Sequence, residues 1–313
     1  MDNNKLLGIL PESIGGRLTI SSIFDGLEEN GFEVIVYDLL EDDTPDLKED
    51  YIAIVSYDYT AIKIKEKYNL KIPTLNYFSD LLRSRTAGEN WEEYEKFLDD
   101  DKNYIFYWDR ELSGYEKNKN LYYLPHFVNH NIYKNLSEPV IDIMFAGRLD
   151  TDYRLKFMEK LVADLPEYSF EWYAIERHYK DALKRAQNPD LIEKIYKGFI
   201  DNEEDMAQAI NRAKIVINMN SQGKSSLNYR TIQTAACERL MISDYRDELD
   251  IFDDKMPYYK NIEDLERQIK IYLENPKTYE MVTKACKEIA LKKLNSKDGA
   301  KFMLEKAGLT VSL

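Results

Sequence analysis

Cysteine and histidine are scarce in this chain. Its 313 residues hold two cysteines, Cys237 and Cys286, and three histidines, His126, His130 and His178. Both cysteines fall inside helix-like apolar patterns and read as buried thiols, not as a disulfide framework. His126 and His130 flank "FVN", a strand end and turn, so they do not share one helical face for a metal, and no metal is expected. Positive charge is short as well: 43 Lys and Arg face 57 Asp and Glu, a net charge of −14. Phosphate backbones need a basic footprint, so a nucleic-acid partner is not expected. No window reaches the about 18 uninterrupted apolar residues of a membrane span. The opening "MDNNKLLGILPES" lacks a basic region ahead of a long apolar stretch, so the expected location is cytoplasmic. G-x-G-x-x-G is absent, which leaves a hydride-transferring dinucleotide enzyme without support. "SQGKSS" holds Gly-Lys-Ser but not the earlier glycine of a phosphate-binding P-loop, so a kinase or ATPase fails on spacing.

What is present is an alternation of strands and helices. The length suggests two domains. In the first half, strands are expected at 5–11, 32–39, 51–57, 72–78, 103–109 and 121–127. Helices are expected over "LTISSIFDGLEENG", closed by Gly31 as a left-handed cap, over "TAIKIKEKYNL", and over 91–98. The pattern restarts with a strand at 140–148, a helix at 152–165, a strand at 168–175 and a helix at 179–186. The apolar stretch at 192–200, the helix "NEEDMAQAINRA", the strand "KIVINMN" and the closing helices from about Pro276 complete it. Apolar strand runs alternating with helices mean parallel pairing with helices on both faces. The fold class is therefore α/β, two Rossmann-like domains facing across a cleft, joined by the turn-rich "FVNHNIYKNLSEPV". The expected division is 1–133, 134–295 and a C-terminal helix, 296–313, that can cross back to the first domain. The 24 tyrosines read mostly as half-buried packing, though a tyrosine-lined groove could stack a sugar or base.

The stretch with most chemistry is "NYRTIQTAACERLMISD", 228–244. A small-residue helix runs into the core there, with Ser225, Ser226, Asn228 and Arg230 at its mouth. The helix is expected to start at Ser226 or Leu227, where unpaired amides favour an anion. Lys224 and Arg230 add positive charge, and an arginine can grip two phosphate oxygens at once. Arg148, just past Gly147, sits at the corresponding loop of that half's first strand. Together these residues point to a phosphate-bearing ligand.

The segment 140–303 resembles the C-terminal half of bacterial glycosyltransferases of the GT-B fold, of the spore-maturation-protein-like or glycosyl transferases group 1 type. The resemblance rests on "MFAGR", "NYRTIQTAACE", "RLMISDYRDELDIF" and "YYKNIEDLERQIKIYLENP", with weaker echoes in "IPTLNYFSD", "NYIFYWD" and "YLPHFVNHNIY". It implies that Asn228 and Arg230 hold the diphosphate of a nucleotide-sugar donor, UDP-sugar foremost. Gln233 falls where the family usually has a Glu that accepts from the nucleotide ribose. Glu238 falls where it usually has Gly, and a non-Gly residue there needs another turn or a costlier positive φ.

The implied activity is metal-independent transfer of a sugar to a surface glycan, protein or small-molecule acceptor, with no cofactor beyond the donor. Helix dipoles and basic side chains can stabilise the leaving diphosphate. No Asp-x-Asp stands at a convincing strand end, since "DDD" at 99–101 lies in an acidic loop. A general base would come from the first half, with Asp80 first, Asp109 second and His126 third. The loop Gly15-Gly16-Arg17 could admit acceptor or sugar. The alternatives are a non-catalytic binding or scaffold protein that keeps the fold, which Gln233 and Glu238 keep open, and a sugar-nucleotide 2-epimerase-like enzyme. A DNA glucosyltransferase is opposed by the charge.

Overall fold

The computed structural model describes residues 4–41, 50–79, 96–97, 99–111, 119–220 and 225–310. The chain divides into two compact units. The first comprises Met1–Asn129, Gln222–Tyr229 and Lys293–Leu313; the second comprises His130–Ser221 and Arg230–Lys292.

The first unit is built on six parallel strands: β1 (Lys5–Leu10), β2 (Glu33–Asp38), β3 (Ala53–Tyr57), β4 (Thr74–Phe78), β5 (Asn103–Tyr107) and β6 (Leu121–Tyr123). Their order is β2-β1-β3-β4-β5-β6. β3 and β4 are buried along their whole length, as strands covered on both faces must be. Helix α1 (Ile14–Glu29) follows β1; Gly31 at φ 88° turns the chain towards β2. Helix α2 (Thr60–Tyr68) follows β3 and closes on Asn69 in the left-handed region. The expected helix at 91–98 lies outside the described residues apart from 96 and 97.

The second unit has five parallel strands: β7 (Ile141–Ala146), β8 (Phe170–Tyr173), β9 (Ala213–Asn218), β10 (Leu240–Asp244) and β11 (Tyr258–Tyr259). Their order, β11-β10-β9-β7-β8, repeats the first sheet's pattern, with the first strand of each half between its second and third. Around them lie α3 (Asp152–Asp164), α4 (Glu176–Arg185), α5 (Pro189–Ile195), α6 (Glu203–Arg212), α7 (Tyr229–Ala236), α8 (Ile262–Glu274) and α9 (Pro276–Lys293). Within the expected apolar stretch at 192–200, α5 takes the first residues and Tyr196 bridges to Trp172 beside β8.

The last helix, α10 (Ser296–Lys306), belongs to the first unit and packs along α1. Sequence makes this possible through Gly26: a Cβ there would lie 2.3 Å from the Ser296 carbonyl oxygen. Chain reversal into the helix is pinned by Val128, whose amide donates to Leu294 O (2.9 Å) and whose carbonyl accepts from Ser296 N (3.0 Å). No helix among the described residues is long and apolar enough to cross a membrane.

Candidate functional site

In doubly wound sheets ligands bind beyond the carboxyl ends of the strands, where the strand order reverses. In the second unit that point lies between β7 and β9. β7 runs out at Ala146 into Gly147 and Arg148. The Gly147 amide donates to Tyr173 O (3.0 Å) and its carbonyl accepts from the Trp172 indole (2.8 Å). The Arg148 side chain is 47% exposed and pairs with Asp150 at 3.5 Å.

Arg154 is a residue that pattern reading missed. It stands in the first turn of α3, which Thr151 caps, and it is buried. Its guanidinium donates to Arg148 O (2.9 Å) and to Met219 O, and reaches Asp150 at 3.5 Å. One buried cation thereby ties the loop after β7 to the loop after β9, on the two sides of the switch point. Burial pulls its pKa below the usual arginine value, opposed by Asp150. The signal was available: Arg154, Met158 and Leu161 share one helix face at spacings of four and seven, so a charge occupied a core-facing position.

The helix that "NYRTIQTAACE" was expected to form is α7. It begins at Tyr229, later than Ser226 or Leu227, and its residues from Thr231 to Ala236 are buried. Arg230, half-buried in the first turn, donates from Nη1 to the Gln233 side-chain carbonyl at 2.6 Å. The Gln233 amide in turn donates to the Tyr133 phenol oxygen. Tyr133 and Gln233 have no solvent exposure. Burial, reinforced by the charge of Glu203, pushes the Tyr133 phenol well above its usual value, so it is neutral. Of the two outcomes open for a non-glycine residue after this helix, another turn or a positive φ, the second holds: Glu238 has φ 57°, and the amide of Arg239 reaches back to Thr234 O at 3.1 Å. Its carboxylate is held by Lys287 at 2.7 Å.

The remaining sequence candidates lie in the first unit. Asp109 follows β5 and is buried, accepting from the Ser225 hydroxyl and the Glu111 amide, both at 2.9 Å. The Ser226 hydroxyl accepts from the Arg110 amide at 3.0 Å. These contacts, not capping, explain the later helix start: Ser225 and Ser226 are drawn onto the loop after β5. Asn228, next in the chain, is half-buried. His126 is 5% exposed, with Nδ1 paired to the Tyr77 hydroxyl at 2.9 Å and its ring 5.2 Å from that of Trp108 and 5.6 Å from that of Tyr229. Burial lowers its pKa to about 3, which makes it a weak base at neutral pH. The Tyr229 hydroxyl closes this cluster on Ser22 at 2.6 Å.

Gly15, Gly16 and Arg17 do not form a loop; they are the first turn of α1, capped by Ser13, whose hydroxyl accepts from the Gly16 amide at 3.3 Å. Gly16 is needed for packing, because a Cβ there would lie 2.8 Å from both Pro11 and Tyr57. Arg17 forms a two-pronged pair with Asp38 (Nη1–Oδ2 2.9 Å), and that hydrogen bond draws the Asp38 carboxyl below its usual range. Asp80 and Lys224 lie outside the described residues. Among the described residues, no group of three or more His, Cys, Asp and Glu side chains could hold a metal ion.

Residues 154–305 match the family described as glycosyl transferase-like. This stretch is similar to glycosyltransferase domains. The fold agrees over nearly the whole chain. Sucrose-phosphate synthase from Thermosynechococcus elongatus superposes with a TM-score of 0.70 at 12% identity, covering 96% of this chain and 98% of that one. HepE from Anabaena, solved with UDP and glucose, gives 0.68 at 12% identity, covering 97% and 99%. An alpha-glucosyltransferase solved with UDP and a 13-mer DNA containing an HMU base gives 0.72 at 12% identity, covering 97% and 99%. No curated protein matches the sequence. The expectation of an α/β chain with the GT-B fold and a nucleotide-sugar-dependent glycosyltransferase domain agrees with these findings.

Proposed function

We propose that this chain transfers a sugar from a UDP-sugar to a glycan, protein or small-molecule acceptor, and that Arg230 holds the donor's diphosphate. The observation that carries the reading is Arg230 itself. It stands half-buried in the first turn of a helix whose next residues vanish into the core, and Gln233 orients its guanidinium. The helix amides favour an anion by about 0.3–1 kcal/mol, and the guanidinium adds a fork of donors matched to two phosphate oxygens. Arg148, just past the end of β7, is a further donor contact on this unit. The leaving diphosphate is stabilised by these fixed positive groups as its charge develops, so no metal is needed. Two of the structures that share the fold contain UDP, which supports uridine as the base. The net charge of −14 favours a non-nucleic-acid acceptor.

A second reading, a binding protein without turnover, is favoured by the burial of Asp109 and His126, two of the three side chains expected to serve as base. A thermal-shift screen across UDP, GDP, ADP, CDP and TDP, followed by incubation with the matching sugar nucleotides, separates the two. The enzyme is stabilised by UDP above the others and slowly hydrolyses a UDP-sugar. Stabilisation without hydrolysis leaves the binding protein, and no stabilisation by any of the five removes the diphosphate site.

A further inference from the structure

Gln233 stands where the family resemblance implies a ribose contact, but its surroundings assign it another task. A guanidinium only donates hydrogen bonds, so Arg230 must meet the oxygen of the Gln233 amide, at 2.6 Å. The amide nitrogen then faces the opposite way, where the Tyr133 phenol oxygen accepts from it. Each end of the amide has a partner of the required polarity, so the group cannot flip without breaking both bonds. The carbonyl has a second lone pair, yet neither Gln233 nor Tyr133 exposes any surface through which a sugar hydroxyl could reach it. Neutrality matters too. A Glu here would form an ion pair with Arg230 and cancel charge meant for a phosphate, whereas Gln fixes the same guanidinium and leaves its charge uncompensated by this neighbour.

We propose that Gln233 and Tyr133 are positioning residues that aim the Arg230 guanidinium at the donor's diphosphate, and that Gln233 does not contact the ribose. This rests on the reading of Arg230 as the diphosphate ligand. Tyr133 acts at one remove, by fixing the orientation of the Gln233 amide.

The test is isothermal titration of UDP and of 2′,3′-dideoxy-UDP, which lacks both ribose hydroxyls, into the wild type, Gln233→Glu, Gln233→Met and Tyr133→Phe. Each variant is expected to weaken both nucleotides by the same factor, on the order of tenfold for the two Gln233 changes and a few-fold for Tyr133→Phe. The ratio of the two affinities then stays at its wild-type value, a readout that partial unfolding does not move. In an Arg230→Ala background Gln233→Met is expected to add nothing, as for two residues acting through one contact. A tighter UDP complex in Gln233→Glu, or a ratio that changes with Gln233, would overturn the proposal in favour of a ribose contact. So would unaltered affinity for both nucleotides in every variant. Should Gln233→Met fail to fold, Gln233→Glu and Tyr133→Phe carry the same test. Wild-type protein that binds neither UDP nor any other nucleoside diphosphate fails differently: it removes the diphosphate site, and the positioning role with it.

Discussion

The two sheets share the order of their first five strands, yet the carboxyl ends of those strands are furnished differently. At the first, polar groups are turned inward and matched: Arg17 with Asp38, Asp109 with Ser225, His126 with Tyr77. At the second, Arg148 is 47% exposed and Arg230 stands half-buried at a helix mouth, while a third arginine, Arg154, is buried as a tie between the loops after β7 and β9. Two copies of a topology thus carry one edge whose described polar groups serve packing and one that presents cations. The scaffold does not decide chemistry; the loops at the strand ends do.

Four substitutions sharpen or break this contrast, and the largest effect belongs at the second edge. Arg230→Ala is expected to weaken UDP binding about a hundredfold, measured by titration, while thermal unfolding moves little. Next comes Arg154→Met. It strips the donor from the Arg148 carbonyl and from the buried Met219 carbonyl, and should lower stability by about 2 kcal/mol in urea unfolding as well as weakening UDP binding. A first-edge residue should behave in the opposite way. His126 titrates at about 3 in the folded protein against an ordinary 6.5, so between those values the unfolded chain binds the extra proton. Its contribution to stability is complete above pH 6.5 and is lost as pH falls towards 3, by up to about 1.4 kcal/mol per pH unit. His126→Phe should therefore flatten the acid limb of a stability-versus-pH curve, with UDP affinity at neutral pH unchanged. The smallest effect is expected at Glu238→Gly. Relief of a left-handed residue, about 1 kcal/mol, is offset by the lost Lys287 pair and the freer unfolded chain. Unfolding should shift by less than about 1 kcal/mol and binding not at all.

The elements were legible because their signals are local. Largely apolar runs such as "AIVSY" and "IDIMFA" marked buried parallel strands, and the small residues of "TAA" marked a helix entering the core. The turn at Glu238 was legible only as an alternative, since the resemblance puts a glycine there and a Glu allows either another turn or a positive φ. The site was legible only as residue types. Ser225 and Ser226 read as part of a phosphate-binding helix mouth, but their partners, Asp109 and Arg110, lie 116 positions away in sequence. No local pattern carries that distance. Tyr133 sat in a turn-rich stretch that read as linker, and nothing but an aromatic among polar residues hinted that it was buried. His126 looked like a base because it lies near the expected hinge; the aromatic rings of Trp108 and Tyr229 that pack against it come from other parts of the chain.

The most direct measurement is a crystal structure of the protein soaked with a UDP-sugar. The account predicts the diphosphate within hydrogen-bond distance of the Arg230 guanidinium, with Gln233 still holding that guanidinium from behind. Density for the donor elsewhere, with Arg230 and Asn228 turned to bulk solvent, would contradict it.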